Sequence, residues 1–205
     1  MKSFFDGHYK KYDRWYDKNE YVYLSELEAV RKAVPKRGRG LEIGIGTGRF
    51  ASPLKVKYGI DVSYNMLKMA EKRGGVVSLA KGEILPFRGE SFDYALIVVT
   101  ICFVKDPVKV LEESFRVLKK GGKVILGIVD EDSFLGGHYQ TKKSIFYKQA
   151  VFFSIKSITR LLKRAGFGKF SYYQTIFRLP AEISAVEKTE KGFGRGGFVV
   201  IKGRK

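Results

Sequence analysis

Three glycines at alternate positions, Gly44, Gly46 and Gly48, follow the run Leu41-Glu42-Ile43 and precede Arg49-Phe50. Glycine carries no Cβ, so a chain built this way can turn sharply and let a ligand approach its backbone. Asp61 stands 17 residues beyond Gly44, within a second apolar run from Lys57 to Val62. Set beside the glycine turn at the edge of a parallel sheet, its carboxylate can accept hydrogen bonds from both hydroxyls of a ribose. The chemistry indicated is the holding of a ribonucleotide-like cofactor. No Gly-Lys-Ser/Thr follows, which excludes a phosphate-binding loop, and Arg49 stands where a dinucleotide fingerprint has its third glycine. The plain alternative is a tight turn, with Asp61 capping the helix that follows it.

Few other side chains could do chemistry. His8 and His138 are the only histidines. His138, in the stretch Asp130 to Tyr139, is read as lying in a loop beyond the fifth strand, on the expected ligand side. It is the candidate general base or acceptor contact, against a simple lid or surface position. Asp130 and Asp132 resemble a metal pair only superficially, because no further ligands are placed beside them, and no required metal is expected. Phe146 and Tyr147, with Ile145, Phe152 and Phe153, could line an apolar acceptor cavity or could simply pack helices. Cys102 is the single cysteine, which excludes an internal disulfide and a multi-cysteine metal site.

The elements that would position these groups alternate in βα fashion. Strands are predicted over 40–45, 57–62, 76–80, 94–99 and 123–129. Ser63 caps a helix to Arg73 that turns Met66, Leu67 and Ala70 inward. Asp106 and Pro107 open another, lined by Leu111, Phe115 and Leu118 and ended by Gly121-Gly122. The nearly continuous apolar strands require helices on both sheet faces, so the fold class is α/β with a doubly wound sheet. After a helix over 157–165, strands at 170–177 and 198–202 must be joined by an antiparallel return, because the connection is too short for a crossover. Residues 1–35 read as an N-terminal helical cap packed on a single domain of residues 36–205. In the cap, Tyr9, Tyr12, Trp15 and Tyr16 could close over a ligand or serve as a satellite of the core. A second helix in the cap uses Tyr23, Leu27, Val30 and Val34 as its stripe.

At 205 residues the chain suits one domain. No stretch approaches the length of a membrane span and no apolar signal core opens the sequence, so a cytoplasmic location is expected. A net charge of +18 attracts polyanions. The basic residues are dispersed, however, so nucleic acid stands second to a small-molecule partner.

These segments in this order resemble the seven-strand, Rossmann-like, class I S-adenosylmethionine-dependent methyltransferases, and within them the small-molecule branch that methylates quinones and sterols. The resemblance is carried by Leu41 to Gly48, Gly59-Ile60-Asp61-Val62-Ser63, Glu83-Ile84-Leu85-Pro86-Phe87, Ser91-Phe92-Asp93 and Arg116 to Gly122. It implies strand order 3-2-1-4-5-7-6 with the last strand antiparallel, S-adenosyl-L-methionine as cofactor and S-adenosyl-L-homocysteine as product. It further implies that Glu42 approaches the methionyl amino group while Gly44 and Gly46 pass beneath the cofactor. Asp61 would hold the ribose, Val62 and Met66 would flank the adenine, and Gly82 and Glu83 would reach its edge. Thr100 and Ile101 would line the methionyl and acceptor side. Apart from the resemblance, Tyr139 joins Phe146 and Tyr147 as a candidate for the acceptor wall or lid. Two departures stand out. Lys81 occupies a position where many relatives have an acidic residue, and the short segment from Gly48 to Lys57 contains Pro53, so any helix there must be brief. The expected activity is methyl transfer to a small molecule by in-line displacement. Transfer to RNA or protein, or a non-catalytic nucleotide- or nucleic-acid-binding module, is the alternative.

Overall fold

The computed structural model describes residues 4–205; residues 1–3 of the expected cap lie outside the described residues. Two helices, α1 (Phe4–Lys18) and α2 (Glu20–Ala33), precede the first strand, β1 (Gly40–Ile43). The chain continues through β2 (Tyr58–Asp61), α3 (Tyr64–Lys72), β3 (Val76–Leu79), β4 (Phe92–Val98) and α4 (Pro107–Val117). Next come β5 (Leu118–Val129), α5 (Phe134–Thr141), α6 (Ile155–Arg164), β6 (Gly168–Thr175), β7 (Glu190–Lys191) and β8 (Phe198–Arg204). All strands join one sheet in the order β3-β2-β1-β4-β5-β8-β6-β7. The first five run parallel, and β8 lies antiparallel to both β5 and β6. Apart from the two-residue edge strand β7, this is the expected order 3-2-1-4-5-7-6 with its reversed final strand.

The doubly wound architecture follows from the strand sequences. Along β4, Leu96 and Val98 enter one core layer while Ala95 and Ile97 enter the other. The same alternation puts Val200 against the first layer and Val199 and Ile201 against the second. This is the period of two expected of a strand covered on both faces. Each fully buried Val, Leu or Ile side chain of this kind contributes about 1.5–3 kcal/mol relative to exposure.

Local capping is as the sequence predicts. Ser63 accepts from the Met66 amide, and Asp106 accepts from the Lys109 amide with Pro107 at the first helical position. Elsewhere the structure corrects the reading. Helix α4 stops at Val117, and Leu118 already belongs to β5, paired with Phe92. The next pair is Tyr94 with Lys123, so Lys119 to Gly122 loop out of the ladder and Gly121-Gly122 mark a bulge, not a helix end. Lys119 is tied to Asp93 across it at 2.8 Å. Residues 49–55 form successive turns with no helix, closed by Ser52 N–H to Gly48 O and Leu54 N–H to Phe50 O, and Pro53 stands within them. The segment after β5 was expected to be a loop, but it forms α5, capped when Ser133 accepts from the Gly136 amide.

Helix α1 lies across the carboxyl ends of the central strands and is fastened by charge. Asp13 accepts from Thr47 Oγ1 at 2.5 Å, from Arg49 at 2.8 and 2.9 Å, and from Arg73 at 2.9 and 3.0 Å. Burial alone would raise its pKa, but the hydrogen bonds from Arg49, Arg73 and Thr47 outweigh it and hold the carboxyl well below the usual range. At the other end of α1, Asp6 accepts from Ser63 Oγ at 2.7 Å and from the Asn65 amide at 3.3 Å. Removing Asp13 leaves two guanidiniums facing an empty, mostly buried position. Asp13→Ala is therefore expected to cost about 2–3 kcal/mol, less than a fully buried pair because both arginines are partly exposed. Thermal unfolding followed by circular dichroism should show the midpoint falling by about 4–10 °C. An unchanged midpoint would mean the network does not hold the helix.

Candidate functional site

The glycine turn after β1 requires the conformations that glycine allows. Gly44, Gly46 and Gly48 have φ of +73°, +54° and +83°, a left-handed region costly for other residues. The Gly44 and Ile45 amides donate to the Ile60 carbonyl at 2.8 and 2.9 Å, bending the loop over the end of β2. There Asp61, 8% exposed, accepts from the Gly46 amide at 2.9 Å and the Ser63 amide at 2.8 Å. Burial raises its pKa, and those two amides act against the rise. Behind the loop Glu42 is buried, and its pKa is driven well above the usual carboxylate range by desolvation, opposed by a hydrogen bond from the Ala51 amide. Its Oε2 has no hydrogen-bond partner among the described residues. A buried acceptor left open in this way calls for a donor from outside the fold.

Residues after β4 close the opposite side. Val99, a β-branched residue, is held at φ +47°, which turns the backbone so that Thr100 Oγ1 donates toward the Gly44 carbonyl at 3.2 Å and the Val98 carbonyl at 3.0 Å. A Cβ on Gly44 would fall on the Thr100 side chain, so that glycine serves a close approach as well as a turn. Met66 is buried and its sulfur lies 3.7 Å from the ideal Cβ position of Gly46, while Val62 is 46% exposed at the head of α3. Gly82 is buried and packs toward Ile43 and Val110. Glu83 is engaged by the Lys105 and Asp106 amides, accepting from them at 3.2 and 3.5 Å.

Beside the glycine loop, over the carboxyl ends of β4 and β5, lies a cavity of about 280 Å³. Tyr12, Trp15 and Tyr16 from α1, Ile101 after β4, and Tyr139, Phe146 and Tyr147 from the α5 region line it together, with Phe152 and Phe153. Tyr12 also reaches the glycine loop, 3.9 Å from the ideal Cβ position of Gly46, so cavity and loop share a wall. The Tyr139 and Tyr147 rings stack with centroids 4.3 Å apart. Burial raises the pKa of Tyr147 to about 12 and pushes the Cys102 thiol, also on the wall, to about 12.

Two expected residues stand apart from this group. Tyr9 and His138 are partly exposed and do not line the cavity; on α5 it is the neighbouring Tyr139 that turns inward. The Asp130 carboxylate is taken up by the Asp132 and Ile155 amides, each at 3.3 Å. The residue missed in the sequence is Glu26 of α2, which lines the cavity at 3% exposure. Its signal was present. It stands four residues after Val22 and four before Val30, in the middle of the buried face of α2, where a carboxylate is out of place. The stripe read through Tyr23 and Val34 is set one position away from that face, and Tyr23 instead donates to the Arg49 carbonyl at 2.5 Å.

Comparison with known proteins places these features in context. The methyltransferase domain family matches residues 41–126, from the glycine loop through β5. A crystal structure from Thermotoga maritima of a SAM-dependent methyltransferase, a possible histamine N-methyltransferase, is 50% identical. It superposes with a TM-score of 0.96 over 98% of each chain. An uncharacterized protein of Methanocaldococcus jannaschii is 52% identical over 98% of each chain. A demethylmenaquinone methyltransferase of Oceanobacillus iheyensis is 26% identical over 95% of this chain and 84% of its own.

Burial raises the pKa of Glu26 from 4.5 to about 8, so the folded chain holds it protonated where the unfolded chain releases the proton. An acid raised in this way contributes stability in full below 4.5 and loses it as pH rises toward about 8. Glu26→Gln should therefore melt near the parent temperature at acidic pH and about 5 °C or more above it near pH 8. Melting curves across that window check the sign, and a constant offset would contradict it.

Proposed function

The chain belongs to the S-adenosylmethionine-dependent methyltransferases, and on that premise we propose that it methylates a small-molecule acceptor seated in the aromatic cavity. The fold is that of a catalytic methyltransferase that binds S-adenosyl-L-methionine and releases S-adenosyl-L-homocysteine. The residues present suit that cofactor. The open Glu42 Oε2 can accept from an ammonium group, the Cβ-free turn lets a ligand lie against the backbone, and the Asp61 carboxylate stands at its edge. When bound, the cofactor supplies a methyl group already activated by a positively charged sulfur.

In this reading Glu42 holds the methionyl amino group and Asp61 the ribose hydroxyls. Val62 and Met66 flank the adenine, whose edge is met by backbone near Gly82, the Glu83 carboxylate being engaged elsewhere. Thr100 stiffens the loop from the acceptor side. The chain's remaining task is to align the acceptor for in-line attack and to exclude water, which accounts for much of the barrier lowering in such transfers. In the same reading the N-terminal helices α1 and α2 act as a cap over the cofactor-binding domain of residues 36–205.

The observation that carries the small-molecule reading is the shared wall at Tyr12, which joins a cavity of about 280 Å³ to the glycine loop beneath α1. A pocket roofed by a fastened helix suits a free small molecule better than a residue within a polymer. The acceptors named for the Thermotoga and Oceanobacillus relatives, histamine and demethylmenaquinone, are both small molecules. The quinone-methylating branch rests on the more distant of the two. The +18 charge supports the second reading, transfer to RNA. No helix among the described residues is long and apolar enough to cross a membrane, in keeping with a cytoplasmic site of action.

Asp61→Ala should weaken S-adenosyl-L-homocysteine binding about tenfold or more by calorimetry, as loss of a charge-assisted pair of hydrogen bonds predicts. With isotopically labelled cofactor and cell extract, label should appear in a low-mass, ribonuclease-resistant fraction. Label in RNA or protein alone would replace the small-molecule reading with the second.

A further inference from the structure

Six carboxylates are buried among the described residues: Asp13, Glu26, Glu42, Asp61, Asp130 and Glu187. Five have protein donors. Asp13 has Arg49 and Arg73, Glu42 the Ala51 amide, and Asp61 the Gly46 and Ser63 amides. Asp130 has the Asp132 and Ile155 amides, and Glu187 the Phe177 amide and Arg178. Glu26 has no hydrogen bond or ion pair with any described residue, and it is the one acidic group on the cavity wall. A buried carboxyl with no partner is costly, and a fold that merely needed filling there would use an apolar side chain.

We infer that Glu26 is the acceptor-recognition group, and that the acceptor is a small amine whose cationic nitrogen sits between the Glu26 carboxylate and the surrounding aromatic faces. The inference rests on the cavity being the acceptor site and specifies the chemistry of what enters it. The carboxyl is close enough to act electrostatically on the hydroxyls of Tyr12, Tyr16, Tyr139 and Tyr147. A cation there gains one charge partner and several ring faces in a site shielded from water, the arrangement that favours ammonium groups. An anionic acceptor would meet repulsion from Glu26. A neutral hydroxyl could satisfy one hydrogen bond but would make no use of the ring faces. Lys142, the one cationic side chain on the wall, is exposed and lies 5.8 Å from the Tyr139 ring centroid, at the rim.

Protonation provides an independent signature. Empty, Glu26 is held neutral by burial up to about pH 8; an ammonium beside it drives ionisation, and the proton leaves to solvent. The titratable groups facing it are Tyr12 and Tyr16 on α1, Cys102 after β4, Glu42 beyond Tyr16, Tyr139 and Lys142 at α5, and Tyr147. Burial pushes the Cys102 thiol to about 12 and raises the four phenols, so these stay protonated near neutral pH. Glu42 is also raised by burial, but in protein saturated with S-adenosyl-L-homocysteine it already faces the methionyl ammonium on the proposed reading, so further proton release near neutrality on amine binding reports on Glu26.

The test uses protein saturated with S-adenosyl-L-homocysteine and three probes of one shape: phenethylamine, 2-phenylethanol and 3-phenylpropionate. Calorimetry near pH 7 in two buffers of different ionisation heat gives affinity and proton count together. Phenethylamine should bind about tenfold more tightly than the alcohol, the propionate most weakly, and amine binding should release close to one proton. Glu26→Gln should remove both the preference for the amine and the proton release while leaving the alcohol's affinity within about threefold. If wild-type protein binds the alcohol as well as the amine, or prefers the propionate, the amine inference falls while the acceptor cavity stands. If folded, saturated protein binds none of the three, the cavity is not the acceptor site and both readings fall. The wild-type comparison decides the matter even if the variant folds poorly.

Discussion

Asp61 accepts one amide from the glycine loop and another from the head of α3, and this double attachment fixes the geometry on which the rest of the site is built. Without it the turn from Gly44 to Gly48 would be a flexible excursion, since glycine has more conformational freedom to lose than any other residue. With it, the loop is anchored to β2 on one side, while Thr100 reaches the Gly44 carbonyl from the other. Ser63, whose amide Asp61 holds, also caps α3 and donates to Asp6. A single carboxylate thus couples sheet, loop, helix and the overlying α1. The arrangement depends on amide donors, so it does not rely on a salt-screened surface pair.

The architecture was legible because its signals are local. Ser63 and Asp106 announce their helices through capping chemistry, and the apolar strands announce two covered faces. The glycine cluster and Asp61 were readable for the same reason, since a left-handed turn leaves its mark in composition. What failed were features set by pairing. The start of β5 at Leu118 and the looped-out Lys119 to Gly122 depend on register with β4, which no window around Gly121 contains. The two-residue β7 exists only because β6 offers it an edge. Helix α5 was hidden by its two adjacent glycines, Gly136 and Gly137, which weaken helical propensity without preventing a helix.

The site divides along the same line. The residues around the glycine loop follow one another along the chain at the ends of consecutive strands. The cavity draws its wall from α1, α2, the turn after β4, the end of β5 and the α5 region, and its members share no spacing. Aromatic residues could be proposed for it because large apolar side chains are always candidates for enclosed surface. Glu26 was passed over although its spacing to Val22 and Val30 carried a signal. A single carboxylate within an amphipathic helix reads as solvated until the orientation of that helix is known, and α2 is turned by one position from the orientation its aromatic residues suggest.

One helix, α1, contributes to both halves. Asp6 and Asp13 fasten it to the loop region, and Tyr12, Trp15 and Tyr16 form part of the cavity wall. The two sites therefore cannot drift independently over evolutionary time. On the proposed reading of the cavity as the acceptor site, a substitution in α1 that reshapes it for a new acceptor also shifts the residues that lock the helix over the loop. Diversification is easier from the walls that touch the cavity alone, the α5 region and the turn after β4. Descendants of this chain with altered acceptors would be expected to keep α1 and vary there.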